Sequence, residues 1–201
     1  MKKLSLITMM AIAALSFQSC GGAKDSKAAA DSTNAVKDTS TMAAKDTAAV
    51  TGAQGIAVDK DDAKFAVAAA NGGMAEVAVA KVAETKAINQ KVKDFAAMMV
   101  TDHGKANDEL MAIAKTKNIT LPAAPSDDKQ KELADLSAKS ASDFDKAYVD
   151  AMVDGHKKTI SLFEDAAKNC KDADLKAFAE KTLPTIKGHL AEIEAIKKSM
   201  K

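Results

Sequence analysis

Tryptophan is absent from this chain, and one tyrosine and six phenylalanines are its only aromatic residues. So few rings leave no stacking platform for single-stranded nucleic acid. Charge argues the same way: 29 Lys+Arg stand against 28 Asp+Glu, and a net charge of +1 gives a polyanion nothing to pull on. Nucleic acid is set aside as a partner. Proline occurs only three times and glycine nine times in 201 residues. Helix breakers are therefore scarce, while alanine and methionine are plentiful, and the expected fold class is all-α. Cysteine occurs twice, at Cys20 and Cys170, too few for a disulfide framework once the first is otherwise engaged.

The start of the chain reads as an export signal. Lys2 and Lys3 precede the apolar run "LSLITMMAIAALSF", which is short for a membrane span. The run stops at "FQSCGG", an arrangement that resembles the lipobox of bacterial lipoproteins, with Phe17 and Gln18 departing from its commoner residues. The resemblance implies a signal peptide over 1–19, lipid on the sulfur of Cys20, and a mature chain held at a membrane in the cell envelope. The alternative is an ordinary secretory signal with an incidental cysteine. No later segment reads as a transmembrane helix.

Residues 20–58 are mostly Ala, Ser, Thr, Asp and Lys, with Lys-Asp-Thr recurring at Lys37 and Lys45. Such composition buries too little apolar surface to offset ordering entropy, so a disordered tether is expected. A flexible chain of that length averages on the order of 35 Å end to end. The triplets at Asp31–Thr33 and Asp46–Ala48 also look like short Asp-Ser/Thr glycosylation motifs, although the motif is weak and plain linker composition is the preferred reading.

From Asp59 the apolar residues recur at helical period, and 59–201 reads as one domain. Helices are expected over about 60–87, 90–117, 143–169 and 173–199, with a short one over about 127–139. Pro122 and Pro125 stop the second, Ser142 with Asp145 looks like a start signal for the fourth, and Pro184 should bend the last. Two short turns imply two antiparallel hairpins, and the long middle connection carrying a short helix matches the crossover of a ferritin-like four-helix bundle.

All three histidines fall on the apolar stripes. "MVTDH" ends at His103 and "MVDGH" at His156, each about fourteen residues into its helix. Mirroring positions about the hairpin turns places Glu76 beside His103, and His189 beside His156, near mid-height. A buried polar group left unpaired costs about 1–3 kcal/mol, so these four residues must bond one another, enclose water or hold an ion. Imidazole and carboxylate suit Zn, Cu, Fe or Mn. Met99 and Met152, each four residues before a histidine, are candidate thioether ligands or plain core filler. Glu192, three after His189, is a candidate for orienting that ring. A carboxylate-bridged di-iron centre is not expected, because Val100 and Ile186 stand where its Glu-x-x-His motifs need glutamate. Asp102 and Asp154 are expected to point to solvent, and no catalytic residue is assigned. The competing reading is a non-enzymatic module whose His/Glu cluster is a hydrogen-bonded layer fixing bundle register.

The stretches "FAVAAANGGMAEVAVAKVAETKAINQKVKDFAAMMVTDH", "FDKAYVDAMVDGH" and "LPTIKGHL" resemble an exported bacterial family, domain of unknown function 4142, over about residues 60–198. The resemblance implies a ferritin-like bundle in an envelope protein, often described as an outer-membrane protein of Gram-negative bacteria. Its motif histidines fall on His103, His156 and His189 and its motif glutamate on Glu76. It implies no activity.

Overall fold

The computed structural model describes residues 25–43 and 56–200; the signal segment, Cys20 and the second Lys-Asp-Thr lie outside the described residues. Among the described residues six helices follow in order: α1 (Ser26–Ala43), α2 (Lys60–Lys86), α3 (Gln90–Thr116), α4 (Asp127–Ser137), α5 (Ala141–Asn169) and α6 (Ala173–Ser199). The last five match the sequence expectations closely. Their ends have local causes. Asp59, Asn89 and Asp172 each accept a backbone N–H of the first turn they precede. Asn118, at φ 55°, closes α3 with Ile119 N–H bonded back to the Ala114 carbonyl, the left-handed cap that asparagine tolerates. The start of α5 corrects the sequence reading: Ser140, with Asp143, caps it rather than Ser142 with Asp145. The helix α6 runs on through Pro184.

Asp145 has a different task. Its buried carboxylate accepts the N–H groups of Ile88 and Asn89 at the α2–α3 turn, the shortest at 2.7 Å. Asp62, in the first turn of α2, does the same for Lys171 and Asp172 at the α5–α6 turn, again down to 2.7 Å. Each hairpin tip is thus locked by an aspartate from the other hairpin. These contacts fix α2 antiparallel to α5. At the same end, Lys117 at the close of α3 pairs with Asp172 and Asp174. The 117–140 connection therefore runs the length of the bundle, with α4 lying over α2 and α5. This is the four-helix bundle with a long crossover.

The core falls into two clusters. Phe65, Phe163 and Phe178 gather near the α5–α6 turn, with rings 5.3 to 6.4 Å apart. Phe95, Phe144 and Tyr148 gather toward the α2–α3 turn with Met99, Met152 and Ile193. The polar layer of Glu76 and the histidines lies between them. Of the described helices, α2 alone is long and apolar enough to cross a membrane, but 56% of that window is buried inside the bundle.

The expected disordered tether is corrected over Ser26–Ala43, which forms α1. Its anchors are polar and so escape an apolar count. Asn34 bonds the Thr120 backbone in both directions, at 2.8 and 2.9 Å. Ser26 accepts from Ala123 and Ala124, Asp25 accepts from Asp127, and Lys37 reaches the Asn118 carbonyl. Ala30 is buried one turn from Asn34. The triplet at Asp31–Thr33 is thus helical, with Asp31 paired to Lys27 and the Thr33 hydroxyl bonded to the Ala29 carbonyl.

Candidate metal centre

Four helices each deliver one side chain to mid-bundle: α2 Glu76, α3 His103, α5 His156 and α6 His189. All four are buried, His156 completely. The three imidazoles form a near-equilateral triangle, with ring centroids 5.8 Å (His103–His156), 5.3 Å (His103–His189) and 5.7 Å (His156–His189) apart. One nitrogen of each ring lies within 4.8 Å of the other two.

Each ring has one nitrogen held from behind. His156 Nδ1 is 2.8 Å from the Met152 carbonyl; that oxygen can only accept, so Nδ1 carries the proton and Nε2 is a bare lone pair. His189 Nε2 is 3.1 Å from Oδ2 of Asp102; the carboxylate accepts the Nε2–H, which leaves Nδ1 a bare lone pair. His103 Nδ1 is 3.1 Å from Oε2 of Glu76, a close electrostatic contact rather than an aligned hydrogen bond. The other oxygen of Glu76 is 3.9 Å from His156 Nδ1. The three remaining nitrogens, His103 Nε2, His156 Nε2 and His189 Nδ1, are buried with no hydrogen-bond partner among the described residues.

Several expected roles change. Glu76 stands beside the Nδ1 edges of His103 and His156, outside the group of three nitrogens. Met99 and Met152 pack in the core cluster toward the α2–α3 turn, and what Met152 brings to the layer is its carbonyl. Glu192 is exposed near Lys91 and Asp94 and does not orient His189. Asp102 does so instead: it is only one-third exposed and lies in the α3–α6 seam rather than out in solvent. Asp154 is exposed as expected. Cys170 is a buried free thiol, which burial and the charge of Asp62 push up to about 12, leaving it a poor nucleophile.

The sequence profile of a family described as "Domain of unknown function (DUF4142)" matches residues 27–196. The chain belongs to the DUF4142 family. The match takes in nearly all of α1, so the DUF4142 domain begins there and not near residue 60. A DUF305 fragment from Deinococcus radiodurans, known from its crystal structure, is similar in fold: TM-score 0.63, covering 71% of this chain and 98% of that one, at 11% sequence identity. At that identity the likeness is one of fold alone. No curated protein matches the sequence.

Burial sets the protonation of the DUF4142 layer. It pushes Glu76 up to about 7, against the pull of the Lys129 charge and the Thr159 hydroxyl. It pushes His103 down to about 3, helped by the neighbouring His189 and His156, and His156 down to about 4, against its bond to the Met152 carbonyl. Both rings are neutral at pH 7, the form that binds a metal.

A pH dependence of metal-free stability follows. Between pH 6.5 and 4.5 the unfolded chain protonates His103 and His156, which the folded chain does not, while folded Glu76 holds one proton that unfolded Glu76 releases. The unfolded state binds about one proton more, so stability falls by about 1.4 kcal/mol per pH unit as the pH drops through that window. Above pH 6.5 the sign reverses, because the stability contributed by protonated Glu76 is lost as pH rises through about 7. Urea unfolding in the presence of a chelator should show a maximum near pH 6.5 to 7; a flat profile contradicts this account.

Proposed function

We propose that this DUF4142 domain binds one divalent transition-metal ion through His103, His156 and His189, and that it does so at the cell envelope, anchored in the outer membrane through lipid on Cys20. The observation that carries the metal reading is the trio of buried, unpartnered ring nitrogens. In two of the rings that nitrogen is fixed as a lone pair by the bond behind it. Lone pairs cannot hydrogen-bond one another, which argues against a self-satisfied polar layer; a cation between them answers all three at once. The anchoring of the opposite nitrogens by a carbonyl and a carboxylate is the usual support of metal-bound histidine.

Ligand chemistry favours Cu²⁺ or Zn²⁺ over Fe²⁺ or Mn²⁺, since affinity at nitrogen sites rises from Mn²⁺ through Fe²⁺ to a maximum at Cu²⁺, with Zn²⁺ below copper. Nitrogens on a tetrahedral ion lie about 3.3 Å apart, so the rings close in slightly on loading. A cleft of about 220 Å³ beneath α4, bordered by Lys129, Leu133, Leu136 and Met152, reaches Glu76 from outside and gives an ion its approach to the layer on this reading. The role is storage, sensing or protection against metal stress, without catalysis of its own.

The test is metal content. Protein purified from the envelope, or loaded with Cu²⁺ or Zn²⁺ and desalted, should hold about one equivalent. Less than one-tenth of an equivalent sinks the proposal. Loss of the Cys20→Ala chain from the membrane fraction tests the anchor. Glu76→Gln and Asp102→Asn, which disturb the groups behind His103 and His189, should each weaken binding by about 10- to 100-fold in competition with a chromophoric chelator.

A further inference from the structure

The two faces of the histidine triangle are unlike. Toward the α2–α3 turn it is covered by Phe95, whose ring lies 6.2 Å from His156 and 6.3 Å from His189. On the opposite side, toward the Phe163–Phe178 pair, a void of about 20 Å³ borders the His103 corner of the triangle. His103 and Glu76 form its floor, and Asn107, Thr159 and Thr182 supply polar groups from α3, α5 and α6. Its position follows from chain direction: Asn107 and Thr159 come after the histidines of their helices, whereas Thr182 precedes His189 on antiparallel α6. Such a volume holds one water, which needs about 10–15 Å³, and little more. Gly73 is part of the construction, since a Cβ there would meet Asn107 Oδ1 at 2.1 Å and push that amide from its place.

We propose that the centre keeps one coordination position open on this face, for a single exchangeable ligand of about the size of water: water, hydroxide or a small anion. The inference rests on the three-histidine metal reading and goes beyond it. Closed structural sites use four protein ligands, whereas three protein ligands leave the fourth place to water or substrate. Here three nitrogens converge, Phe95 lies against His156 and His189 on one side, and the polar-walled void borders His103 on the other. Glu76 and Thr159 line both this void and the cleft beneath α4, so they form the partition that an incoming ligand crosses. Exchange of water for an anion moves no electrons and breaks only the metal–water bond.

Fluoride, an anion close to water in size, titrated into the Cu²⁺-loaded full chain is the probe, read by the change it makes in the copper electron paramagnetic resonance spectrum. A saturable one-to-one change is expected. Ala106→Val, which adds two methyl groups in the wall of the void, should weaken fluoride at least about tenfold while one equivalent of copper stays bound. Thr182→Val, which keeps shape and removes one hydroxyl, should weaken it by a smaller factor and serves if the first variant folds poorly. Copper bound at one equivalent with no response to fluoride overturns this inference and leaves the three-histidine reading standing. No copper retained overturns both. Fluoride affinity unchanged in both variants puts any open position elsewhere and also overturns it.

Discussion

His156→Ala is expected to abolish stoichiometric metal binding, with affinity lowered by more than the roughly 100-fold that marks the upper end for supporting residues. His156 is the fully buried corner of the triangle, and its lone-pair nitrogen is fixed by the 2.8 Å bond to the Met152 carbonyl. No other described histidine stands by to replace it, since the chain has only three. Thermal unfolding separates this from simple damage to the core. With metal at 100 times its dissociation constant, the unaltered chain gains about 2.7 kcal/mol. For a domain of this size that is about 5–10 °C in Tm. The variant should gain nothing, whatever its metal-free Tm. If it still binds one equivalent and still responds to metal, the histidines are structural.

The largest expected loss of stability lies far from the centre, at the two locking aspartates. Asp145→Ala removes a buried acceptor from two N–H groups of the α2–α3 turn; Asp62→Ala does the same at the α5–α6 turn. Hydrogen bonds to a charged acceptor are worth about 1.5–3 kcal/mol, and the orphaned donors add a desolvation penalty. Each variant should lose about 3–4 kcal/mol, or about 6–16 °C in Tm. Asp145→Asn keeps one acceptor oxygen and should recover part of the loss. Calorimetry on the metal-free chains gives the comparison; a loss below 1 °C in both alanine variants means the turns hold themselves.

Much of this could be read from the sequence because periodicity and mirror geometry are strong constraints. The stripe through Val92, Phe95, Met99 and His103 fixes which face of α3 is inward, and short turns then set Glu76 and His156 at the depth of their partners. What escaped was the work of polar side chains over distance. Over residues 26–38 of α1, Ala30 and Asn34 are buried, and Asn34 holds to a backbone 86 residues away. Composition registers only its want of apolar anchors. Asp102 and Glu192 show the limit on the helices themselves. Both sit off the central stripe of their helix, and only the neighbour across the seam decides which one meets His189. The α3–α6 seam chose Asp102. Likewise Asp145, adjacent in sequence to the true cap at Ser140–Asp143, could be mistaken for part of it until its partners at Ile88 and Asn89 were seen.

The helix α1 also changes the leash. A 38-residue flexible tether would let the bundle wander on the order of 35 Å from its lipid. With Asp25 and Ser26 gripping the crossover at Asp127, Ala123 and Ala124, only the four residues 21–24 remain between a lipid on Cys20 and the folded body. The five Cα–Cα steps from Cys20 to Asp25 can span about 18 Å at most. On the proposed anchor, the domain therefore sits against the headgroups with the start of α4 turned toward them. Tension on the lipid would be borne first at Asp25–Asp127 and would unzip α1 from the crossover one contact at a time.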